Sequence, residues 1–433
     1  MNENDSELIR GILEAKGFRF TDNENQADIV LINTCTVRDN ADRKALNFAH
    51  RVRNNRNDKP PLIGLLGCMA TVQKEKLIDS KKLGIDFMAG PDSYKRLPEL
   101  IEKSLRDEGR ETRDERRGTR DVALSKTETY SDIVPARMPG VNAWISIMRG
   151  CDNFCTFCVV PYARGRERSR SAESILSEAK DAVQNGYPQI TLLGQNVNSY
   201  KFGSDDFTSL IKKISDINGL KRIRFMSPHP KDFPERLLEI IASEANICKH
   251  IHLPLQSGNT RILKLMNRGY TQKDYLGLVK LIRKHCPQTS LTTDVIVGFP
   301  TENPSEYADT RKVMEDVEFD SAFIFKYSPR PRTLAARKYK DDVSADEKTK
   351  RIVELNALQK TISLKKNQTR IGKNEEILIE ATSTEKSEKD FQGRTDDNKI
   401  VIIPSGPYKT GQLIRVQITE ATAHVLKARV TGQ

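Results

Sequence analysis

The sequence predicts an α/β protein in three parts: an N-terminal domain on a parallel sheet, a central partial barrel of six βα units, and a small C-terminal β-barrel. Three observations carry that reading. Up to about residue 105, helical periodicities alternate with short apolar runs. From 137 to 367, strand and helix patterns repeat six times. From 370 to 433 the helical signal ends, and short alternating strands with intervening glycines take over.

The first part (residues 1–105) opens on a helix. Asp5 and Ser6 are cap residues, Leu8, Ile9, Ile12 and Leu13 recur on one face, and Gly17 is its stop. Ile29–Ile32, Pro61–Leu66 and Ile85–Met88 are short buried-strand runs, the first two leading into Asn33-Thr34-Cys35 and Gly67-Cys68. Residues 106–136 begin with mixed charge and almost no apolar content, the pattern of an exposed linker or a solvated helix. In the central part the expected strands are Ala143–Met148, Gln189–Leu193, Arg222–Met226, Ile251–Leu255, Ser290–Val297 and Ser321–Tyr327. Loops at the C-terminal ends of such strands carry the active groups. Ser344–Lys366 reads as a long polar helix with Ile352, Leu355, Leu358 and Ile362 on one stripe. The last part offers strands Ile377–Glu380, Ile400–Ile403, Leu413–Ile418 and Val425–Val430, with Gly393, Gly406 and Gly411 between them.

Composition narrows the class. Charged residues at 30% and hydrophobic ones at 37% fit a soluble globular protein, and no apolar run approaches the roughly 18 to 20 residues a membrane span needs. Met1–Lys16 is acidic and polar, unlike an export signal. Seven cysteines are too few, and odd, for a secreted disulfide framework, so a cytoplasmic protein with metal or redox cysteines is expected. The net charge of +12 points to a phosphate-rich partner. It is unevenly placed: residues 137–369 hold 37 basic and 26 acidic side chains, against 24 and 24 before them and 10 and 9 after.

The strongest chemical signal is Cys151-Asp-Asn-Phe-Cys155-Thr-Phe-Cys158. Three thiolates in eight residues, just past a strand, can wrap one face of an iron–sulfur cluster. A four-iron cluster wants four ligands, so three leave one iron open. Zinc prefers four closed protein ligands in paired spacing, and no nearby fourth ligand is present. Cys248 and Cys286 have no partner within motif spacing and read as buried thiols.

The surrounding motifs extend the signal. They include Arg164-Gly-Arg-Glu-Arg-Ser-Arg170, Leu193-Gly-Gln-Asn-Val-Asn-Ser-Tyr200, Ser227-Pro-His-Pro230, His252-Leu-Pro-Leu-Gln-Ser-Gly258, Met266-Asn-Arg-Gly-Tyr-Thr271, Thr293-Asp-Val-Ile-Val-Gly-Phe-Pro-Thr-Glu302 and Tyr327-Ser-Pro-Arg-Pro331. With the cysteine loop, they resemble the radical S-adenosylmethionine (SAM) methylthiotransferases, in the tRNA-modifying branch that acts on isopentenyl-adenosine. The resemblance covers essentially the whole chain. It implies an N-terminal methylthiotransferase domain, a radical SAM core over 137–367 and an RNA-binding TRAM domain over 370–433.

The resemblance implies a cytoplasmic monomer with two [4Fe-4S] clusters and SAM. Its substrate is a tRNA anticodon stem-loop carrying N6-(dimethylallyl)adenosine at position 37, in tRNAs that read codons beginning with U, and a flavodoxin or ferredoxin donates electrons. A 5′-deoxyadenosyl radical removes hydrogen from C2 of that adenosine, and a methylthio group takes its place. Cys151, Cys155 and Cys158 carry over as ligands of the SAM-binding cluster, and Phe157 as a neighbour of the adenine. Gly194, Gln195, Asn196, Gln256, Ser257 and Asp294, at strand ends, carry over as SAM contacts. Arg164, Arg166, Arg168 and Arg170 alternate after the cluster loop and are expected to meet RNA phosphates or to pair with acidic neighbours. Cys35 and Cys68 carry over as ligands of an auxiliary cluster.

The chain departs from the family pattern there. The family's third auxiliary cysteine belongs to a strand before the first helix, and this sequence starts at Met1-Asn2-Glu3-Asn4-Asp5-Ser6. That strand and its cysteine are therefore expected to be missing, through a start placed too far downstream, a truncated source, or a true absence. Two rival readings remain at this point: a methylthiotransferase for threonylcarbamoyladenosine, and a tRNA-binding iron–sulfur protein without complete turnover.

Overall fold

The computed structural model describes residues 1–36, 39–55, 60–73, 77, 84–107, 119–384 and 387–431. The chain divides into two compact units that are not continuous in sequence. The first comprises Met1–Met138, Met148–Arg170 and Ser328–Lys338. The second comprises Pro139–Ile147, Ser171–Tyr327 and Tyr339–Gln433. The three-cysteine loop thus belongs to the N-terminal unit, not to the unit that holds the six expected strands.

In the first unit, strands β1 (Ile29–Thr34), β2 (Leu62–Gly67), β3 (Phe87–Ala89) and β4 (Thr119–Asp121) form one sheet in that order, all parallel. β2 is buried along its whole length, as a continuous apolar run in a parallel sheet should be. The helix Asn2–Glu14 buries Leu8, Ile9, Ile12 and Leu13 against this sheet's core, and Gly17 ends the turn at φ +84°. Asp5 is not its cap: it lies inside the helix and is fully buried.

The expected linker over 106–136 needs correcting. Residues 108–118 lie outside the described residues, but 119–136 are part of the first unit's fold. Thr119–Asp121 pairs with β3 although its side chains are polar, because backbone hydrogen bonds make the strand, among them Gly90 N to Asp121 O at 2.7 Å. Asp121 accepts from Ser93 Oγ at 2.9 Å and from Arg96. Tyr130 is buried, stacked on Tyr94 with ring centroids 5.7 Å apart, and its hydroxyl donates to Pro91 O.

The second unit holds the six strands of the partial barrel. Asn142–Ser146, Gln189–Leu193 and Arg222–Phe225 form one parallel sheet with Gln189–Leu193 central. His250–His252, Ser290–Val297 and Ser321–Lys326 form another with Ser290–Val297 central. A bridge between Ile223 and Ile247 joins the two, through Cys248 N to Ile223 O at 2.9 Å. The fourth strand ends three residues before the expected Leu255, so Leu253–Leu255 leads in a loop to Gln256. Cys248 and Cys286 are buried as expected.

The five strands Asn374–Ala381, Asp390–Thr395, Ile400–Pro404, Leu413–Ala421 and Val425–Val430 close into a barrel. The sequence signal missed Asp390–Thr395, where Gly393 was expected in a turn. Gly393 is instead mid-strand, where a Cβ would meet Ile377 Cδ1 at 2.7 Å. The helix Ala345–Gln368, capped by Ser344 Oγ on Glu347 N, packs on Ser321–Lys326 and on Leu413–Ala421. No helix among the described residues is long and apolar enough to cross a membrane.

Candidate active site

Cys35 and Cys68 follow the C-terminal ends of neighbouring strands, since β1 and β2 pair in a register that ends on Thr34 opposite Gly67. Parallel sheets bring distant positions together at this edge. Gly67 makes the turn possible: its φ is +88°, and a Cβ there would lie 2.6 Å from Thr34 O. Cys68 opens the helix Cys68–Val72. Burial pushes its thiol up, partly opposed by the Arg164 guanidinium. Among the described residues, no third cysteine, histidine or carboxylate gathers with the pair as a metal site needs.

The three-cysteine loop is framed by a short hairpin, Met148–Arg149 against Arg168–Ser169. Gly150 sits at φ +79°, where a Cβ would stand 2.0 Å from Arg166 O, so only glycine admits the close approach. Cys151 N donates to Gly165 O at 3.2 Å and Cys158 N to Cys155 O at 2.9 Å. Cys151 and Cys155 are buried; Cys158 and Phe157 are half-buried. Burial pushes the Cys151 thiol up to about 11. Among the described residues no three cysteine, histidine or carboxylate side chains gather as a single metal ion needs. A four-iron cluster places each thiolate on a different iron, so three thiols carried by one loop suit its chemistry.

The two cysteine sets are neighbours. Helix Val160–Arg164, directly after Cys158, packs on helix Cys68–Val72, and Val159, Ala163, Cys68 and Val72 form one apolar cluster. Ala335 N donates to Thr156 O at 2.8 Å, and Arg330 Nη1 reaches Asp42 Oδ2 at 3.2 Å, which ties Ser328–Lys338 to the same region. Asp42 also accepts from Thr36 Oγ1, next to Cys35.

The arginine expectation splits. Arg164 is buried and its Nη2 lies 2.5 Å from Asp5 Oδ2. Arg168 is buried and forks onto Asp92, with both oxygens 3.0 Å away. Arg170 is buried too. These three side chains are buried rather than on one exposed face; the alternation breaks because a helix end, a glycine and a hairpin strand separate them. Arg166 is exposed and bonds both oxygens of Asp152, at 2.6 and 3.1 Å. Sequence reasoning missed the partners Asp5 and Asp92, and also Arg149. Arg149 is fully buried, 3.1 Å from Asp5 Oδ1 and stacked over Tyr130. Burial raises the Asp5 carboxyl, but Arg164 and Arg149 outweigh it and hold it below the usual carboxylate range. For Asp92 and Arg149 the available signal was position, since each lies within a few residues of a strand end or a ligand cysteine; Asp5 offered none.

The expected SAM contacts lie in the second unit. Gly194 and Gln195 follow Gln189–Leu193, and Gln195 Oε1 is a buried acceptor with no donor among the described residues. Asn196 is buried, donating to Asp232 Oδ2 at 3.1 Å and accepting from His229 N, so its side chain braces the loop after Arg222–Phe225. Burial, Arg268 and Lys231 push His229 down to about 2, which keeps it neutral. Its ring packs edge-on against Tyr270, whose hydroxyl donates to Leu255 O just before Gln256. Gln256 holds a left-handed φ of +67° and pairs with Ser290–Val297 through Asp294 O and Ile296 N, both at 2.8 Å. Asp294 is half-buried against His252 Nε2 at 3.2 Å, and His252 Nδ1 meets Thr292 Oγ1 at 3.0 Å. Ser257 is fully buried and accepts from Asn259 N, so it supports the loop rather than opening to a ligand.

On the closed barrel, Lys409, Arg415, Lys427 and Arg429 are exposed. Lys399 is instead drawn to Asp320 at 3.0 Å and Arg394 to Glu380 at 2.8 Å.

Comparison with known proteins follows the same division. The radical SAM superfamily model matches residues 145–314, the model described as uncharacterized protein family UPF0004 matches 1–90, and the TRAM domain matches 368–431. A tRNA-2-methylthio-N(6)-dimethylallyladenosine synthase of Bacteroides thetaiotaomicron is 43% identical over 99% of this chain and 93% of its own length. A synthase of the same description from Chloroherpeton thalassium is 43% identical over 98% and 93%. Among solved structures, the radical SAM methyltransferase TsrM of Kitasatospora setae superposes with a TM-score of 0.56 at 18% identity, over 77% of this chain and 70% of that one, a likeness of fold.

Proposed function

The chain belongs to the tRNA-2-methylthio-N(6)-dimethylallyladenosine synthase family, and on that premise we propose that it converts N6-(dimethylallyl)adenosine at position 37 of tRNA to its 2-methylthio derivative. The observation that carries the proposal is the Cys151–Cys158 loop, set on a glycine hairpin and packed against the segment that bears Cys68. Family membership alone would give a fold; the site gives the chemistry.

The three loop cysteines fit an iron–sulfur cluster with one iron open to SAM. Cys151, Cys155 and Cys158 would hold that cluster, which with SAM would supply the radical chemistry that takes the hydrogen from C2 of the adenine. The protein's part is to place these groups and exclude water. Phe157 offers an aromatic face beside the last ligand. Gln195 Oε1, a buried acceptor with no donor among the described residues, is a group that an ammonium such as SAM's can bond. Gln256 and Asp294 present polar groups from adjoining strand ends, and His252 orients Asp294. The Cys35 and Cys68 pair offers two of the thiolates an auxiliary cluster would need, which by itself is too few, so no step is assigned to a second cluster. Arg166 and the exposed cations of the closed barrel suit RNA phosphates. The protein acts in the cytoplasm as a monomer, with electrons from a small flavin or iron–sulfur carrier.

Incubating the full chain, loaded with iron and sulfide, with SAM, a reductant, inorganic sulfide as the sulfur source and a dimethylallyladenosine stem-loop should yield a 2-methylthio nucleoside by mass spectrometry. A threonylcarbamoyladenosine stem-loop should stay unmodified. The reverse preference would overturn the substrate assignment.

A further inference from the structure

Inside the cysteine loop, Phe154 is turned outward. Its backbone sits at φ +46°, a left-handed conformation that a bulky residue rarely adopts, and its side chain is exposed although aromatic. Arg166 lies over the ring, 5.4 Å from its centroid. That guanidinium is held by two bonds to Asp152, and Asp152 is itself fixed by Glu167 N at 3.1 Å. A flat aromatic and a flat cation are thus locked together at the surface, on the loop that carries Cys151 and Cys155.

We propose that Phe154 and Arg166 form a stacking platform for the unpaired RNA base next to the target adenosine. This rests on the function proposed above. A base must leave its stack to bring C2 to the cysteine loop, and its neighbour then loses a stacking partner. Aromatic rings and guanidinium planes replace such partners in single-stranded RNA recognition, because every base has a π-face. The Arg166 cation adds attraction for the phosphate beside that base, which an apolar peptide partner would not use. The left-handed backbone at Phe154 is the local cost of presenting the ring.

The test uses the full chain and a dimethylallyladenosine stem-loop with 2-aminopurine on either side of the target. With the native protein, one of the two probes should stay quenched on binding. Phe154→Ala should brighten that probe and weaken binding roughly tenfold to a hundredfold, and Phe154→Trp should restore both. Arg166→Gln should weaken binding less and reduce its salt dependence. Equal quenching and affinity in native protein and Phe154→Ala, with both folded by circular dichroism, would overturn the platform while leaving the activity intact. Failure of the native protein to bind the stem-loop would overturn the functional reading and the platform with it.

Discussion

Near the cysteines of the first unit, Asp5, Asp92, Arg149, Arg164 and Arg168 are all buried, whereas the core of the closed barrel is built from Ile377, Ile379, Val401, Ile403, Val416 and Leu426. The barrel rests on non-directional burial, which tolerates exchange of one aliphatic residue for another of similar volume. The cysteine region rests on charges that only compensate one another in one arrangement. Asp5 joins the helix Asn2–Glu14 to the hairpin through Arg149 and to the helix after Cys158 through Arg164. The region that must hold cysteines in place is therefore tied by specific partners, and the accessory barrel by bulk.

The largest effect should come from the loop itself. Cys155→Ala should abolish 5′-deoxyadenosine release from SAM, and persisting release would remove the cluster assignment. Next is Asp5→Ala, which leaves two buried guanidiniums uncompensated and should cost about 3–5 kcal/mol in denaturant unfolding. A cost below 1 kcal/mol would erase the contrast drawn here. In the barrel, Ile379→Val should cost only about 0.5–1.5 kcal/mol and leave SAM cleavage unchanged.

The same contrast has a pH signature. Because its folded carboxyl is held below the ordinary value, Asp5 lends stability that is complete above about pH 4 and is lost on acidification beneath it. Acid unfolding of native protein and Asp5→Asn should therefore converge at low pH. Parallel curves would point to another group. The smallest effect belongs to Arg166→Gln: its pair with Asp152 is exposed, so stability should change by less than about 1 kcal/mol.

The sequence reading did best where a local pattern decides the structure. Ser290–Val297 and Val425–Val430 appear with the expected bounds because alternation and β-branched content suffice there. The cysteine loop was legible because its ligands are close in sequence. Thr119–Asp121 was not, since a neighbouring backbone, not its own side chains, makes it a strand. The arginines were half legible for a similar reason: pairing with acidic groups was expected, but not with which ones. Spacing says nothing of Asp5 and Asp92, whose carboxylates lie 159 and 76 residues away from the guanidiniums they bury. Ser257 was expected as a ligand contact by position; its oxygen takes the turn hydrogen bond from Asn259 N, a partner that its position did not show.

The most direct test of the account follows one atom. A dimethylallyladenosine stem-loop carrying deuterium at C2 of the target is incubated with the chain, SAM and a reductant, and the released 5′-deoxyadenosine is weighed by mass spectrometry. The expected product is 5′-deoxyadenosine bearing one deuterium. Release of unlabelled 5′-deoxyadenosine alone, with the RNA bound and its deuterium retained, would contradict it.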